Sequence, residues 1–180
     1  RSNGFRENVF LDVEDSNKRR EESLRLKMRY VAPNGLLLKG TLFRSDADNG
    51  YDMWAPDNNE ELFTYTNQPG DDHQTTNAAS IRAEKPLSKQ LNIIAISTYS
   101  QTDLDYSYDS DWGNDAYWKA EPYLVDGWQY EYYDRTQRQR TSLSQEVRLE
   151  SDAILLGLYT RTIKENDDAT GYLFSGSSDG

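Results

Sequence analysis

The chain has 180 residues, enough for one domain, yet only 36% are hydrophobic and the mean hydropathy is -0.93, too polar for a comfortable two-sided core. Its net charge of -11 argues against nucleic acid as a partner, and the lack of cysteine excludes disulfides, thiolate metal sites and cysteine nucleophiles. Aromatics reach 12%, led by 13 Tyr and 4 Trp, which is not a disordered composition and suits a sheet with an aromatic belt at an interface.

Val9, Leu11 and Val13 alternate briefly, and the charged stretch 15–22 reads as a loop. From residue 23 the pattern sharpens. Leu24, Leu26, Met28 and Tyr30 alternate with Arg25, Lys27 and Arg29; Pro33-Asn34-Gly35 turns the chain; Leu36, Leu38 and Leu42 resume the rhythm. A side-chain period of two predicts a hairpin of strands over 23–32 and 35–45, each with one apolar face. Residues 46–72 are dense in Gly, Pro, Asn and Asp and read as a long loop, a length that is usually functional. A third strand is predicted over 75–87 and a fourth over 91–108, joined by a short turn. A second long loop, 109–134, carries Trp112, Tyr117, Trp118, Tyr123, Trp128 and Tyr130. A fifth strand follows at 141–150, then a tight turn at Ser151-Asp152 into a sixth at 153–162; 166–180 is too polar and glycine-rich to assign.

The order is strand, short turn, strand, long loop, repeated. Apolar-out, charge-in alternation with short turns on one rim and long loops on the other is what a barrel spanning an outer membrane requires. The expected fold is therefore all-β: an antiparallel transmembrane β-barrel, partial, with about six strands and long extracellular loops. On this register Arg25, Lys27, Arg29, Lys39, Arg82, Glu84, Glu146 and Arg148 face the lumen. No apolar run reaches the length of a membrane-spanning helix. The opening Arg1-Ser2-Asn3-Gly4 reads as the start of an internal piece of a longer protein.

Several segments resemble TonB-dependent outer-membrane receptors, most nearly the cobalamin and siderophore branch. They are Asn49-Gly50-Tyr51-Asp52 with Asp57-Asn58 and Gln68-Pro69-Gly70-Asp71; the strand IAISTYSQTDLDYSYD with its Tyr/Asp-rich exit; and SLSQEVRLES followed by Leu156-Gly157-Leu158-Tyr159. The likeness covers roughly residues 23–165. It implies a parent barrel of about 22 strands plugged by an N-terminal domain; neither a plug nor a TonB box is recognisable in this chain, and Gly180 is not the aromatic that closes such barrels. It also implies the bacterial outer membrane as location, and a scarce nutrient chelate, TonB (through the plug domain) and outer-membrane lipid as partners.

Tyr51, Trp54, Trp112, Tyr117 and Trp118 are the candidate ligand contacts, a stacking surface for a large, partly apolar molecule, or else loop packing and interface anchors. Asp46, Asp48, Asp52 and Asp57 are candidate calcium ligands, since flexible carboxylate arrays suit that ion and the resembled branch orders its loops with it; their spacing does not follow an EF-hand. Asp109, Asp111 and Asp115 crowd the second loop in the same way. Catalysis is not expected. His73 is the only histidine, placed in a loop beside Asp71 and Asp72, and no phosphate-cradling glycine motif occurs. The alternative from another class is a soluble β-sandwich that binds carbohydrate, with the Leu24, Leu26 and Met28 face buried against a second sheet; a passive porin-like channel is a third option.

Overall fold

A computed structural model describes residues 1–122 and 131–173. The protein is all-β. Six strands, β2 (Glu21–Val31), β3 (Leu37–Tyr51), β5 (Gly70–Pro86), β6 (Asn92–Asp109), β7 (Tyr132–Glu150) and β8 (Leu155–Leu173), form one antiparallel sheet in the order β2-β3-β5-β6-β7-β8. A small parallel pair, β1 (Glu7–Asn8) with β4 (Phe63–Thr64), and one short helix, α1 (Asp115–Trp118), lie outside it. The sheet is open: β2 and β8 each pair on one side only. Closure into a barrel is thus not part of the described structure.

The three short connections sit on one rim. At the first, Gly35 adopts φ 82°, a left-handed conformation that glycine takes at little cost, and the Ala32 amide bonds Leu36 O at 2.8 Å. At the third, Ser151 Oγ accepts from the Ile154 amide at 3.0 Å, closing the predicted tight turn. The two long connections, β3 to β5 and β6 to β7, therefore share the opposite rim.

Strand positions follow the expected order, but four strands outrun their predicted lengths on the long-loop side. β3 continues to Tyr51, β5 begins at Gly70, β7 begins at Tyr132 and β8 runs to Leu173. The predicted loop at 46–72 is correspondingly shorter. Residues 9–13 form no strand; they make a turn closed by a bridge between Asn8 and Val13. Of the second loop, Tyr123, Trp128 and Tyr130 lie outside the described residues.

Register assigns the two faces. Directly paired residues of antiparallel neighbours share a face. One row runs Leu26, Leu42, Ala79, Tyr99, Leu143, Thr162, and another Tyr30, Leu38, Ala83, Ala95, Val147, Leu158. The reverse face carries Arg29, Lys39, Arg82, Ile96, Glu146 and Tyr159 in one row. All eight residues expected to share the charged face do so.

Among the described residues nothing covers the apolar face. Leu24 is 70% exposed, and Leu26, Met28, Ile81, Leu143 and Val147 are exposed with it, while the sole buried hydrophobic residue in the described structure is Ile94, on the charged face. Along β7 the apolar positions 143, 145, 147 and 149 are exposed while 142, 144, 146 and 148 are partly shielded. Extensive contacts between elements run only between hydrogen-bonded neighbours. The second sheet that a sandwich needs is absent from the described residues.

Candidate functional site

The long-loop rim is where this chain places its buried polar side chains. Asn8, Asn17, Asn49, Asp52, Thr64, Thr66, Ser107, Asp109, Asp111 and Asn114 are all buried there. Buried polar groups must be satisfied internally, so the loops are built by side-chain hydrogen bonds more than by apolar packing.

Asn8 is one hub. Its Nδ2 donates to Asp52 Oδ2 (3.0 Å), to Thr66 O (2.9 Å) and to Thr66 Oγ1 (2.8 Å), while its Oδ1 accepts from the Phe10 and Leu11 amides. Thr64 Oγ1 donates to the same Asp52 oxygen at 2.7 Å. Asp52 Oδ1 is buried and has no partner.

The exit of β6 is the second hub. Asp109 Oδ1 accepts from the amides of Asp111 and Trp112 (both 3.2 Å), folding the chain back in an Asx-type turn that holds Trp112 at φ 60°. Asp111 accepts from the Gly113 amide (2.9 Å), the Trp118 indole N–H (3.1 Å) and the Tyr132 amide (2.8 Å). Asn114 caps α1 by accepting from the Tyr117 amide at 2.9 Å, and its own amide reaches Tyr65 O at 2.6 Å. Asn67 and Gln68 donate to Glu131 Oε1 at 3.1 and 2.9 Å. The described parts of the two long loops are therefore tied together by side-chain hydrogen bonds.

Burial of Asp109, and secondarily the neighbouring Asp111 carboxylate, pushes the Asp109 carboxyl up to about 7; its three backbone donors oppose that rise without cancelling it. On Asp57 the balance reverses. Burial is the largest single influence and raises its carboxyl, but the hydrogen bonds from Tyr65 and Asn59 together outweigh it and hold the carboxyl below the usual range. Burial, followed by the bond to Asp57, moves the Tyr65 phenol up to about 12.

The five candidate ligand-contact residues fall into two groups. Tyr51, Trp54 and Trp112 line one cleft together with Asp52, Tyr108 and Asp109. Trp54 and Trp112 stack with centroids 5.8 Å apart, and Tyr51 lies edge-on to Tyr106 at 4.9 Å. The space left in the cleft is about 10 Å³. Tyr117 and Trp118 do not reach it. They pack edge to face on each other, with Tyr117 also against Tyr65 and Trp118 bonded to Asp111.

The four candidate calcium ligands do not converge on one another. Asp46 and Asp48 are strand residues: Asp46 accepts from Thr75 Oγ1 at 2.9 Å, and Asp48 lies 3.6 Å from Lys18 Nζ. Asp52 is enclosed with Asn8 and Thr64, while Asp57 is held at the surface by Tyr65 Oη at 2.7 Å. No cluster of three or more histidine, aspartate or glutamate side chains suited to a metal ion occurs among the described residues. The extension of β3 to Tyr51 takes Asp46 and Asp48 into paired backbone, while Asp52 and Asp57 lie beyond its end, each held by its own hydrogen bonds. His73 likewise belongs to β5, opposite Asp48 and Asp105.

Sequence reasoning missed Asn8, Thr64, Thr66 and Tyr108 as parts of the site. The brief alternation around Val9 masked Asn8, and nothing local marks a buried threonine.

Comparison with known proteins finds no matching family model, no similar curated protein and no similar solved structure.

Proposed function

We propose that the chain is part of an outer-membrane receptor barrel that captures a scarce nutrient chelate in its long-loop rim for TonB-energised uptake. One observation carries this reading: the sheet leaves its leucine-, valine- and isoleucine-bearing face uncovered and partly shields the charged face on its central strands β5, β6 and β7, with Ile94 the single buried hydrophobic residue among those described. In water a continuous uncovered apolar face of this kind is a liability; against lipid it is the solvated face.

Dimensions support it. The apolar rows extend along β7 from Leu149 to Leu143 and give way to Thr141, whose row holds Arg44, Asn77, Gln101 and Lys164 and keeps an apolar member only at Leu24 on β2. The six residue steps from Leu149 to Leu143, at about 3.4 Å each, cover about 20 Å of strand, or about 16 Å of height at a tilt of about 40°, the larger part of the apolar band of an outer-membrane barrel. Strands of 15 to 19 residues exceed what the band needs, and their surplus projects beyond it toward the long loops with Asp46, Asp48, Asp103 and Asp105 on the outer face. That surplus lifts the aromatic rim clear of the membrane surface. Among the described residues no helix is long and apolar enough to cross a membrane, so strands would make the crossing.

The test is lipid contact. Single bimane-labelled cysteines at Leu26, Leu143 and Val147 should be quenched by brominated acyl chains after reconstitution, and labels at Lys27, Ser144 and Arg148 should not. Equal quenching on both faces, or none on either, ends the proposal.

A further inference from the structure

We infer that the cleft beside the Trp54 and Trp112 stack receives the primary ammonium group of a ligand. The inference names the ligand chemistry of the rim, and rests on the receptor reading only in taking the rim as the capture site.

The cleft has the wrong charge for an empty space. Asp52 is 2% exposed and Asp109 is 4% exposed, both line it, and no lysine or arginine ion pair reaches either among the described residues. Buried carboxylates are ordinarily paired with a cation, because removing an isolated charge from water costs far more than its hydrogen bonds return. Asp52 divides its two oxygens unequally. Oδ2 takes Asn8 and Thr64, while Oδ1 is buried with no donor at all. The missing partner is a donor, and a positive one.

The walls select among cations. Four aromatic residues, Tyr51, Tyr108, Trp54 and Trp112, line the same space, and aromatic rings attract a desolvated cation. A calcium ion wants six to eight oxygens, whereas the cleft offers two carboxylates set among rings. An alkylammonium has three donors and no acceptor, which complements a wall of acceptors. Size narrows the choice again. About 10 Å³ is room for one water-sized group, which admits –NH₃⁺ and excludes a quaternary ammonium without rearrangement. The carbon chain beyond the nitrogen would leave along the two indoles, which are 55% and 40% exposed. The raised Asp109 carboxyl agrees with a site short of positive charge.

The experiment titrates the full chain, folded in detergent micelles, with n-butylammonium, n-butanol and calcium chloride in separate arms, followed by tryptophan fluorescence. The expected result is a saturable response to butylammonium alone, weakened at least ten-fold in Asp52→Asn. Asp109→Asn is the second variant, expected to weaken it by a similar factor; whichever variant keeps the parent circular dichroism spectrum carries the comparison. An equal response to butanol, a response to calcium alone, or unchanged butylammonium affinity in a folded variant overturns the inference. Lipid quenching is read on the same protein after reconstitution: insertion without amine binding sinks this inference alone, and amine binding without insertion sinks the receptor reading alone.

Discussion

Asn8 donates its side-chain amide to Asp52 Oδ2 across 3.0 Å, although the two stand 44 positions apart. This bond, with those from Asn8 to Thr66, stitches the chain before β2 onto the loop after β3. Asn8→Ala should therefore orphan Thr66 O and weaken the hold on Asp52, at a cost of about 2–3 kcal/mol confined to the rim. Asn8→Asp should cost more, because it sets a second carboxylate against Asp52. Hydrogen exchange checks both: amides of residues 7–13 and 63–66 should lose protection while the β5–β6 ladder keeps it. Uniform loss across the sheet would contradict a local role.

How far the sequence reveals this fold depends on which part is asked. Leu24 to Tyr30 and Leu143 to Leu149 have a partner row to face and a medium to avoid, so their period of two is visible and their register follows from it. The outer halves of β3, β5, β7 and β8 are different. Asp46, Asp48, Asp71, His73 and the run Glu165 to Thr170 carry turn-forming or charged side chains with water as the medium on the outer face, so no apolar rhythm survives there. Their strand form comes from neighbours' backbone ladders, a long-range cause that residue type does not announce. The same limit governs the site. Trp54 and Trp112 each look like a loop aromatic; that they stack is decided by the Asn8 and Asp109 hubs, which depend on pairing between distant segments.

Ile81→Arg distinguishes membrane from water directly. Ile81 sits in the row of Met28, Gly40 and Ser97 and is exposed. In a bilayer an arginine there should cost about 2–4 kcal/mol. For a soluble sheet the same change at an exposed position would stay within about 0.5 kcal/mol. Ser80→Arg, one residue away on the charged face, is the control and should be tolerated in both cases. Urea midpoints after reconstitution into vesicles give the measurement, and equal effects of the two substitutions would remove the case for a lipid-facing side.

Gly70→Ala tests how tightly β5 enters the sheet. A Cβ at Gly70 would lie 1.9 Å from Ser107 O and 2.6 Å from Tyr108 Cα, backbone atoms with no soft route of retreat. The first pairs of the β5–β6 ladder must separate, and overpacking of this sort costs about 1–3 kcal/mol. The Asp71 amide, which donates to Ser107 Oγ at 3.0 Å, should then exchange faster, with the Tyr51 and Tyr106 rings shifting in the near-ultraviolet circular dichroism. Unchanged exchange at Asp71 would show that the rim accommodates the methyl.

Stability of the rim should depend on pH through Asp109. Burial, with Asp111 adding to it, raises its folded carboxyl to about 7 from an ordinary value of 3.8. The folded state therefore holds its proton across an interval in which the unfolded chain has already lost it. By linkage, stability falls as pH rises through this interval and levels off above about 7. The slope is at most about 1.4 kcal/mol per pH unit. Asp109→Asn keeps an acceptor for the Asp111 and Trp112 amides but cannot ionise, so its profile should be flat between pH 4 and 7 apart from contributions shared with the parent. The rim's unfolding midpoint, followed by tryptophan fluorescence in urea at half-unit pH steps, measures the difference. A parent rim that gains stability over this interval relative to the variant would mean that the three backbone donors, and not burial, govern this carboxylate.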